Sequence, residues 1–335
     1  MKIGLCYDLK EAVPVSQGHP DDALEEYDSP ETVDALAAVF QAAGHSVVKL
    51  GGGREFLAKV LQERVDFAFN IAEGLGGCRS REAQVPAVLE MLDIPYSGSD
   101  PQCLAVCLDK PLAKKLVAMA GVHTPRCRVV SDARELNGLV ADGLPLPAFV
   151  KPAYEGSSKG IRSGSRVDSI ERAVAVAEEL LKLYRQPVMI EEFIAGDEVT
   201  VGMVGNRPPK IVGIMRVVPK RKDPYFVYSL EVKRDWERRV DYEVPARLEA
   251  GAIRQIESSS LAAFEVLGCR DFSRMDFRIS RDGTPYFLEV NPLPGLNPRS
   301  GDLPIMAGKM GWSYQRLVSA ILNAALERYP QCVRR

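Results

Sequence analysis

The first hundred residues alternate between short hydrophobic runs and segments whose hydrophobic residues recur at helical spacing. The short runs are residues 2–6, 46–50 and 65–70, and each predicts a buried strand. Residues 30–43 repeat hydrophobic positions every three or four residues, which predicts a helix, and another helix begins near Arg54. Strands that alternate with helices form a parallel sheet covered by helices. The pattern therefore predicts a doubly wound α/β unit at the start of the chain.

A second pattern begins at Pro125, after a helix predicted over roughly 101–120. Residues 148–151 predict a strand that leads into a turn rich in glycine and serine. Residues 168–171 have the composition of a capping box, which starts an amphipathic helix. Residues 188–194 predict the next strand. We therefore expect a second unit with a different order of elements.

The segment up to about residue 295 is predicted to be mostly strand and loop, with one helix near 246–267. Within it, residues 219–245 are rich in lysine, arginine, aspartate and tyrosine and have weak periodicity. Such a stretch is typical of a solvated surface excursion. A functional interpretation is a mobile flap that carries cations toward phosphates. Both interpretations stay open.

A β-hairpin with a polar face is predicted over residues 275–291, with its turn at 281–284. Asp276, Glu289 and Asn291 would project from one face of this hairpin. Two carboxylates and an amide oxygen are hard ligands, which suit magnesium bound to nucleotide phosphates. An ordinary hairpin with a charged, solvated face would give the same pattern.

Composition excludes several classes of function. The chain has 335 residues, which predicts two or three domains, and 46% hydrophobic with 26% charged residues is typical of a soluble globular protein. A net charge of -2 provides no positive potential for nucleic acid or an anionic membrane. No hydrophobic run approaches the ~20 residues that span a bilayer. The N-terminus does not have a signal-peptide pattern, so we expect a cytoplasmic protein.

Cysteine and histidine usage argues against zinc and against Ser-His-Asp chemistry. The 7 cysteines include no Cys-x-x-Cys pair, and the chain has only 3 histidines. Cys103 and Cys107 lie one helical turn apart, and we expect them to be buried small hydrophobic residues rather than metal ligands.

Six ordered motifs lie at residues 94–99, 109–110, 150–158, 191–198, 274–276 and 288–295. Together they resemble the motifs of the D-alanine–D-alanine ligase family of ATP-grasp enzymes. The resemblance implies an α/β protein that is α+β in its ATP-binding half. It implies an N-terminal domain over 1–105, a central ATP-grasp subdomain over 106–195, and a C-terminal ATP-grasp subdomain with the metal site over 196–335.

The resemblance also implies a role for each residue at a matched position. ATP would be bound by Lys110, Lys151, Ser158, Glu191, Phe193, Ile194 and Glu198. The catalytic groups would be Arg274, Lys233, Ser157 and Gly295, with Arg274 and the Gly295 N–H stabilising a tetrahedral oxyanion. Two Mg²⁺ ions, with Mn²⁺ as an alternative, would be bound by Asp276, Glu289 and Asn291.

The departures from the family pattern fall on the amino-acid side. The family's His-Gly pair is Glu73-Gly74 here, and the tyrosine expected after the flap lysine is Arg234. The N-terminal loop lacks the family's glycines, and Asp22, Glu25 and Glu26 are all candidates to bind the first substrate's ammonium group. At the far end of the site, Ser300 lies where the family binds the second substrate's carboxylate.

These residues predict an ADP-forming acid–amino-acid ligase that makes a peptide or amide bond through an acyl phosphate. Its substrates would be small amino acids or amines, with altered selectivity. Alternatives are a D-alanine–D-alanine ligase of cell-wall synthesis, an ATP-binding phosphotransferase, or a non-catalytic ATP-grasp protein. We expect a homodimer that binds neither nucleic acid nor membrane.

Overall fold

The fold contains three sheets, and the computed structural model describes residues 1–13, 18–138, 143 and 145–333. The strands in this part of the chain are β1 Lys2–Cys6, β2 Ser46–Gly51, β3 Phe67–Asn70, β4 Cys127–Val130, β5 Ala148–Pro152, β6 Arg166–Val167, β7 Val188–Glu192, β8 Gly196–Val204, β9 Lys210–Pro219, β10 Val240–Glu243, β11 Phe272–Ser280 and β12 Pro285–Asn291.

Helices cover the sheets and connect them. They are α1 Pro30–Ala42, α2 Gly53–Gln62, α3 Gln84–Met91, α4 Pro101–Leu108, α5 Lys110–Met119, α6 Ile170–Tyr184, α7 Leu230–Arg234, α8 Trp236–Arg239, α9 Ala250–Val266, α10 Asp302–Lys309, α11 Tyr314–Glu327 and α12 Pro330–Val333. Among the described residues, no helix combines the length and hydrophobicity needed to cross a membrane.

The N-terminal sheet is parallel, in the order β2-β1-β3, as the alternating pattern predicts. The other two sheets are antiparallel. One has the order β4-β7-β5-β6 and packs against α6, and the other has the order β10-β9-β8-β11-β12. The fold is therefore a mixed α/β structure, with the parallel sheet in the N-terminal part of the chain.

Each of two hydrophobic cores combines residues from segments that are far apart in the sequence. The core of the parallel sheet includes Leu36 and Phe40 of α1 together with Ile321 and Leu322 of α11. The C-terminal helix thus returns to the N-terminal sheet. Similarly, Val117 of α5 packs in the core beneath β8, β11 and β12. Contacts between distant segments therefore fix how the three sheets are placed.

Two predictions about helices are wrong. The single helix predicted over 101–120 is two helices separated at Asp109, whose side chain accepts a hydrogen bond from Leu112 N at 3.1 Å and caps α5. Pro111 then occupies an early position of α5, where its missing N–H is tolerated. Residues 219–245 contain the short helices α7 and α8, which are too brief to produce a visible period.

Cys103 and Cys107 are buried in a hydrophobic core, as their interpretation as small hydrophobic residues requires. Cys269, in the segment before β11, lies in the same core. The Sγ atom of Cys103 lies 3.7 Å from that of Cys107 and 3.8 Å from that of Cys269.

The carboxylate of Asp271 ties three segments together. It is completely buried and accepts hydrogen bonds from Arg328 Nε and Nη2 at 2.9 and 2.6 Å. Gly98 N donates to it at 2.7 Å and Asn206 Nδ2 at 3.1 Å. The end of α11, the loop before α4 and the turn between β8 and β9 therefore meet at this group, which directly precedes β11.

We predict that Asp271→Asn lowers the free energy of unfolding by about 3 kcal/mol, because the amide leaves the Arg328 guanidinium without a counter-charge. Urea denaturation followed by circular dichroism measures the change. The control is Asp241→Asn on the exposed edge of β10, which should change the free energy by less than about 0.5 kcal/mol. Equal midpoints for the two variants would contradict the prediction.

Candidate active site

A cleft of about 780 Å³ lies between the two antiparallel sheets, and we call it the first cleft. It brings together most of the predicted nucleotide and metal residues. Its lining includes Lys151, Ser158, Glu191, Phe193, Ile194, Glu198, Lys233, Arg274, Asp276 and Glu289.

A buried carboxylate between two lysines forms one wall of the first cleft. Glu191 Oε1 lies 2.7 Å from Lys151 Nζ, and Glu191 Oε2 lies 2.6 Å from Lys114 Nζ. Burial alone would raise the pKa of Glu191, but the charges of Lys114 and Lys151 lower it below its usual value. The two lysines and the glutamate are thus held together away from water, and the group has a net charge of one positive unit.

Arg274 is held by two carboxylates on the opposite wall. Its Nη2 lies 2.7 Å from Asp276 Oδ2, and its Nη1 lies 3.1 Å from Asp302 Oδ2. Burial alone would lower the pKa of Arg274, yet the charges of Asp276 and Asp302 raise it. The guanidinium is therefore a fixed cation whose orientation is set from two sides.

The predicted metal residues lie on one face of the β11–β12 hairpin, as expected. Asp276 pairs with Glu289 in the ladder, and Asn291 Nδ2 lies 3.4 Å from Asp276 Oδ2. Lys110 Nζ lies 3.3 Å from Glu289 Oε2. Burial alone would raise the pKa of Glu289, but Lys110 and Lys151 lower it to about 2. Two carboxylates and the free amide oxygen of Asn291 form a hard donor set that fits Mg²⁺.

A second cleft of about 1120 Å³ adjoins the first and is lined by the N-terminal loop, the glycine-serine loop and the segment after β12. Arg274 and Lys233 line both clefts. The other predicted residues on the second cleft are Glu25, Glu26, Glu73, Lys110, Ser157, Asn291, Gly295 and Ser300.

The glycine-serine loop turns sharply at its centre. Ser157 and Ser158 both have a positive φ, of 50° and 60°, so the chain reverses between the two clefts. Gly160 has a φ of 73°, and a Cβ there would lie 2.4 Å from the ring of Pro152. Glycine is therefore required where the loop closes against β5. As a result Ser157 faces the second cleft while Ser158 faces the first.

Lys233 and Arg234 point in different directions. Lys233 lines both clefts, and burial lowers its pKa. Arg234 is not among the described residues that line either cleft. Its Nη2 lies 2.6 Å from Glu25 Oε1 on the N-terminal loop. Successive residues of a helix diverge by about 100°, which is consistent with the different directions of these two side chains.

Glu26 lies on the second cleft but is already engaged by two cations. Its Oε2 is 2.8 Å from Arg81 Nη2, and its Oε1 is 3.0 Å from Lys159 Nζ. Burial alone would raise the pKa of Glu26, but Arg81 and Lys159 lower it. Glu26 therefore links the N-terminal loop to the glycine-serine loop.

Arg278 is a site residue that the sequence pattern did not indicate. Its guanidinium donates to Ile194 O at 2.6 Å, Gly196 O at 2.9 Å and Phe226 O at 3.0 Å. It also donates to Glu198 Oε2 at 3.1 Å. In the sequence it is simply another polar residue on β11, since its acceptors lie more than fifty positions away.

Two antiparallel sheets that close on a cleft lined by lysines and carboxylates define the ATP-grasp class of ATP-dependent enzymes. The family model described as "D-ala D-ala ligase C-terminus" matches residues 116–323. A D-alanine–D-alanine ligase of Aquifex aeolicus (strain VF5) is 32% identical over 296 residues, which cover 88% of this chain and 94% of that protein.

A second D-alanine–D-alanine ligase, from Syntrophotalea carbinolica, is 32% identical over 297 residues, which cover 89% of this chain and 91% of that protein. The crystal structure of a D-alanine–D-alanine ligase from Bacillus anthracis complexed with ATP is 25% identical, with a TM-score of 0.75 and 99% coverage of both chains. The chain belongs to the D-alanine–D-alanine ligase family of ATP-grasp enzymes. It is an ATP-dependent, ADP-forming ligase, as the sequence predicts.

We predict that Arg278→Lys increases amide hydrogen exchange in residues 223–230 by at least about tenfold, because a lysine cannot replace the guanidinium's bond to Phe226 O together with its other bonds. Hydrogen–deuterium exchange followed by mass spectrometry measures this local opening. Arg281→Lys, in the exposed turn after β11, is the control and should leave the exchange unchanged. Unchanged exchange in Arg278→Lys would show that other contacts hold the segment.

Proposed function

We propose that the enzyme joins the carboxylate of one small molecule to the amine of another, with an amino-acid selectivity that differs from that of a D-alanine–D-alanine ligase. One observation carries this proposal: Arg274 and Lys233 line both clefts. A phosphoryl donor in the first cleft and a carboxylate in the second cleft would therefore meet at these two cations.

The chemistry requires activation because a carboxylate is a poor acyl donor. Transfer of the γ-phosphoryl group of ATP to the carboxylate oxygen gives an acyl phosphate and ADP. The amine of the second substrate then attacks the carbonyl carbon, and inorganic phosphate leaves. Lys233 would approach the transferred phosphoryl group, and Arg274 with the Gly295 N–H would stabilise the tetrahedral oxyanion.

The first cleft would bind ATP. Lys151 and Lys110 would bind the phosphates as fixed cations, and Ser158 would cover them from the glycine-serine loop. Glu191, the backbone around Phe193 and Ile194, and Glu198 would contact the adenine and the ribose. Because lysines already engage both oxygens of Glu191, a bond to the adenine amino group would use its remaining lone pairs.

Asp276, Glu289 and Asn291 would hold two Mg²⁺ ions, which neutralise phosphate oxygens when bound. The supporting observation is their common face on the hairpin, where Asp276 and Glu289 are ladder partners. Asp276 and Glu289 form ion pairs with Arg274 and Lys110, so cations already neutralise the negative charge of this face.

Altered selectivity rests on Glu73, which lines the second cleft where the family pattern has a histidine. Arg234 does not support it, since Arg234 is not among the described residues that line the cleft and its charge is paired with Glu25. Ser300, on the rim of the same cleft, would bind the second substrate's carboxylate. Ser157 would contact the first substrate from the glycine-serine loop.

We predict that ADP release depends on an amino acid and is faster with an amino acid other than D-alanine. A panel of D- and L-amino acids, singly and in pairs, assayed for ADP release and for product mass, tests this. Release of ADP with formation of a dipeptide or amide would support the ligase reaction. If D-alanine alone gives the fastest turnover, the altered selectivity is wrong and the ligase reaction stands.

We also predict that Glu289→Gln weakens Mg²⁺-dependent binding of ATP by at least about tenfold, because one anionic ligand of the metal is lost. Isothermal titration calorimetry of ATP, with Mg²⁺ and with EDTA, measures the affinity. Glu265→Gln, on the exposed face of α9, is the matched control. If Glu289→Gln binds ATP with unchanged affinity, or if EDTA does not change the affinity, the hairpin does not bind the metal.

A further inference from the structure

Three carboxyl groups on the wall of the second cleft have no cationic partner among the residues that the structure describes. They belong to Asp28, Glu73 and Glu82. Glu82 is only 8% exposed, and no described residue donates a hydrogen bond to its side chain. A buried carboxylate that faces a cavity without a partner is costly, so its presence indicates a ligand that supplies the missing positive charge.

The nearest cations form their ion pairs with carboxylates other than these three. Arg81 is the neighbour of Glu82 in the chain, yet its guanidinium donates to Glu26 at 2.8 Å, to Tyr154 O at 3.0 Å and to Glu155 at 3.4 Å. Lys159 pairs with the same two carboxylates, Glu26 and Glu155. Two cations and two anions thus form ion pairs with one another, and neither cation forms an ion pair with Glu82.

The remaining cations near the second cleft are also engaged or lie at its edge. Lys110 donates to Glu155 O and pairs with Glu289 on the nucleotide side. Arg234, which is not among the described residues that line the cleft, pairs with Glu25 on its wall. Lys10 is exposed at the mouth of the cleft. A cation that reaches Glu73 and Glu82 must therefore come from a bound molecule.

The fold fixes the position of these carboxylates. Gly74 has a φ of 78°, and a Cβ there would lie 2.0 Å from Arg81 O, so the chain after Glu73 packs directly on the turn that carries Glu82. Gly74 N also donates to Asp8 Oδ2 at 2.9 Å. Glu73 is thus held beside Glu82 by backbone contacts rather than by its own side chain.

The pKa values of these three carboxyl groups are raised, as expected for carboxylates that lack a cationic partner. Burial raises the pKa of Glu82 to about 7, and burial together with the charge of Glu82 raises the pKa of Glu73 well above its usual value. Burial likewise raises the pKa of Asp28 to about 7. A bound cation would relieve this destabilisation of the charged forms.

The two ends of the second cleft have opposite character. Arg274 and Lys233 lie at the end shared with the first cleft, where a substrate carboxylate would be activated. Glu73 and Glu82 lie on the N-terminal wall. The α-ammonium group of an ordinary amino acid has one positive charge. It can therefore neutralise only one of the unpaired carboxylates of this wall.

We propose that an amino-acid substrate of this enzyme carries a second cationic nitrogen, an ammonium or guanidinium group on its side chain, and that Glu73 and Glu82 are the specificity-determining residues that bind it. This assignment rests on the ligase function proposed above, since it places the substrate's carboxylate at Arg274 and Lys233.

The test compares amino acids that differ only in the side-chain cation: lysine against norleucine, and ornithine against norvaline, each as both enantiomers. Binding to the full chain is measured by calorimetry with Mg²⁺ and a non-hydrolysable ATP analogue, and ADP release is measured separately with ATP. We expect at least one cationic amino acid to bind at least about tenfold more tightly than its neutral counterpart, the ratio expected of one charge-assisted hydrogen bond.

Glu73→Gln and Glu82→Gln should each reduce that ratio toward one, whereas Glu265→Gln on the exposed face of α9 should preserve it. A variant that damages only the fold would weaken both members of a pair equally. If one variant does not fold, the other and the comparison in the unaltered protein still decide the question.

Neutral amino acids that bind as tightly as the cationic ones would overturn this assignment, and so would a failure of every amino acid in the panel to bind. If neutral amino acids still support ADP release, the ligase function survives. A cationic preference that depends on Glu73 and Glu82 without any ADP release would instead support the acidic subsite and overturn the proposed reaction. A preference unchanged in both variants would exclude these two residues as its source.

Discussion

The cations of the first cleft are held in place by buried carboxylates, and the rest of the site depends on this pairing. Without Glu191, Lys114 and Lys151 would be two like charges in a poorly solvated wall. Arg274 depends in the same way on Asp276 and Asp302. Because each cation is oriented before a ligand arrives, the cleft does not have to reorganise when negative charge develops on a phosphoryl group or an oxyanion.

This pairing in turn requires one register of the β11–β12 hairpin. Phe277 and Phe287 pair across the hairpin on its buried face, whereas Asp276 and Glu289 pair on the face toward the cleft. A slip of one residue would place the phenylalanines in the cleft and the carboxylates in the core. The hydrophobic core beneath β12 therefore determines the metal-binding face, although it does not contact the cleft.

The sequence predicts the hairpin and its polar face because both depend on neighbouring residues with a period of two. Lys114, Arg81 and Arg278 could not be identified in this way, since their partners come from other sheets and become neighbours only after folding. The break at Asp109 is different. An aspartate two positions before Pro111 is a helix-start signal, and it was visible in the sequence.

The two clefts have different proposed roles, which explains why the departures from the family pattern lie on the amino-acid side of the site. The first cleft is formed by antiparallel strands whose charges bind one another, so a change there would leave a buried charge without its partner. The second cleft is closed by the N-terminal loop and by the turn bearing Arg81 and Glu82. The loop contacts the glycine-serine loop through Glu26, and the turn contacts the segment before it through Arg81. Substitutions on that wall can change the charge offered to a substrate while Arg274 and its carboxylates stay as they are. Selectivity can therefore diverge in this fold while the apparatus for activating a carboxylate is kept.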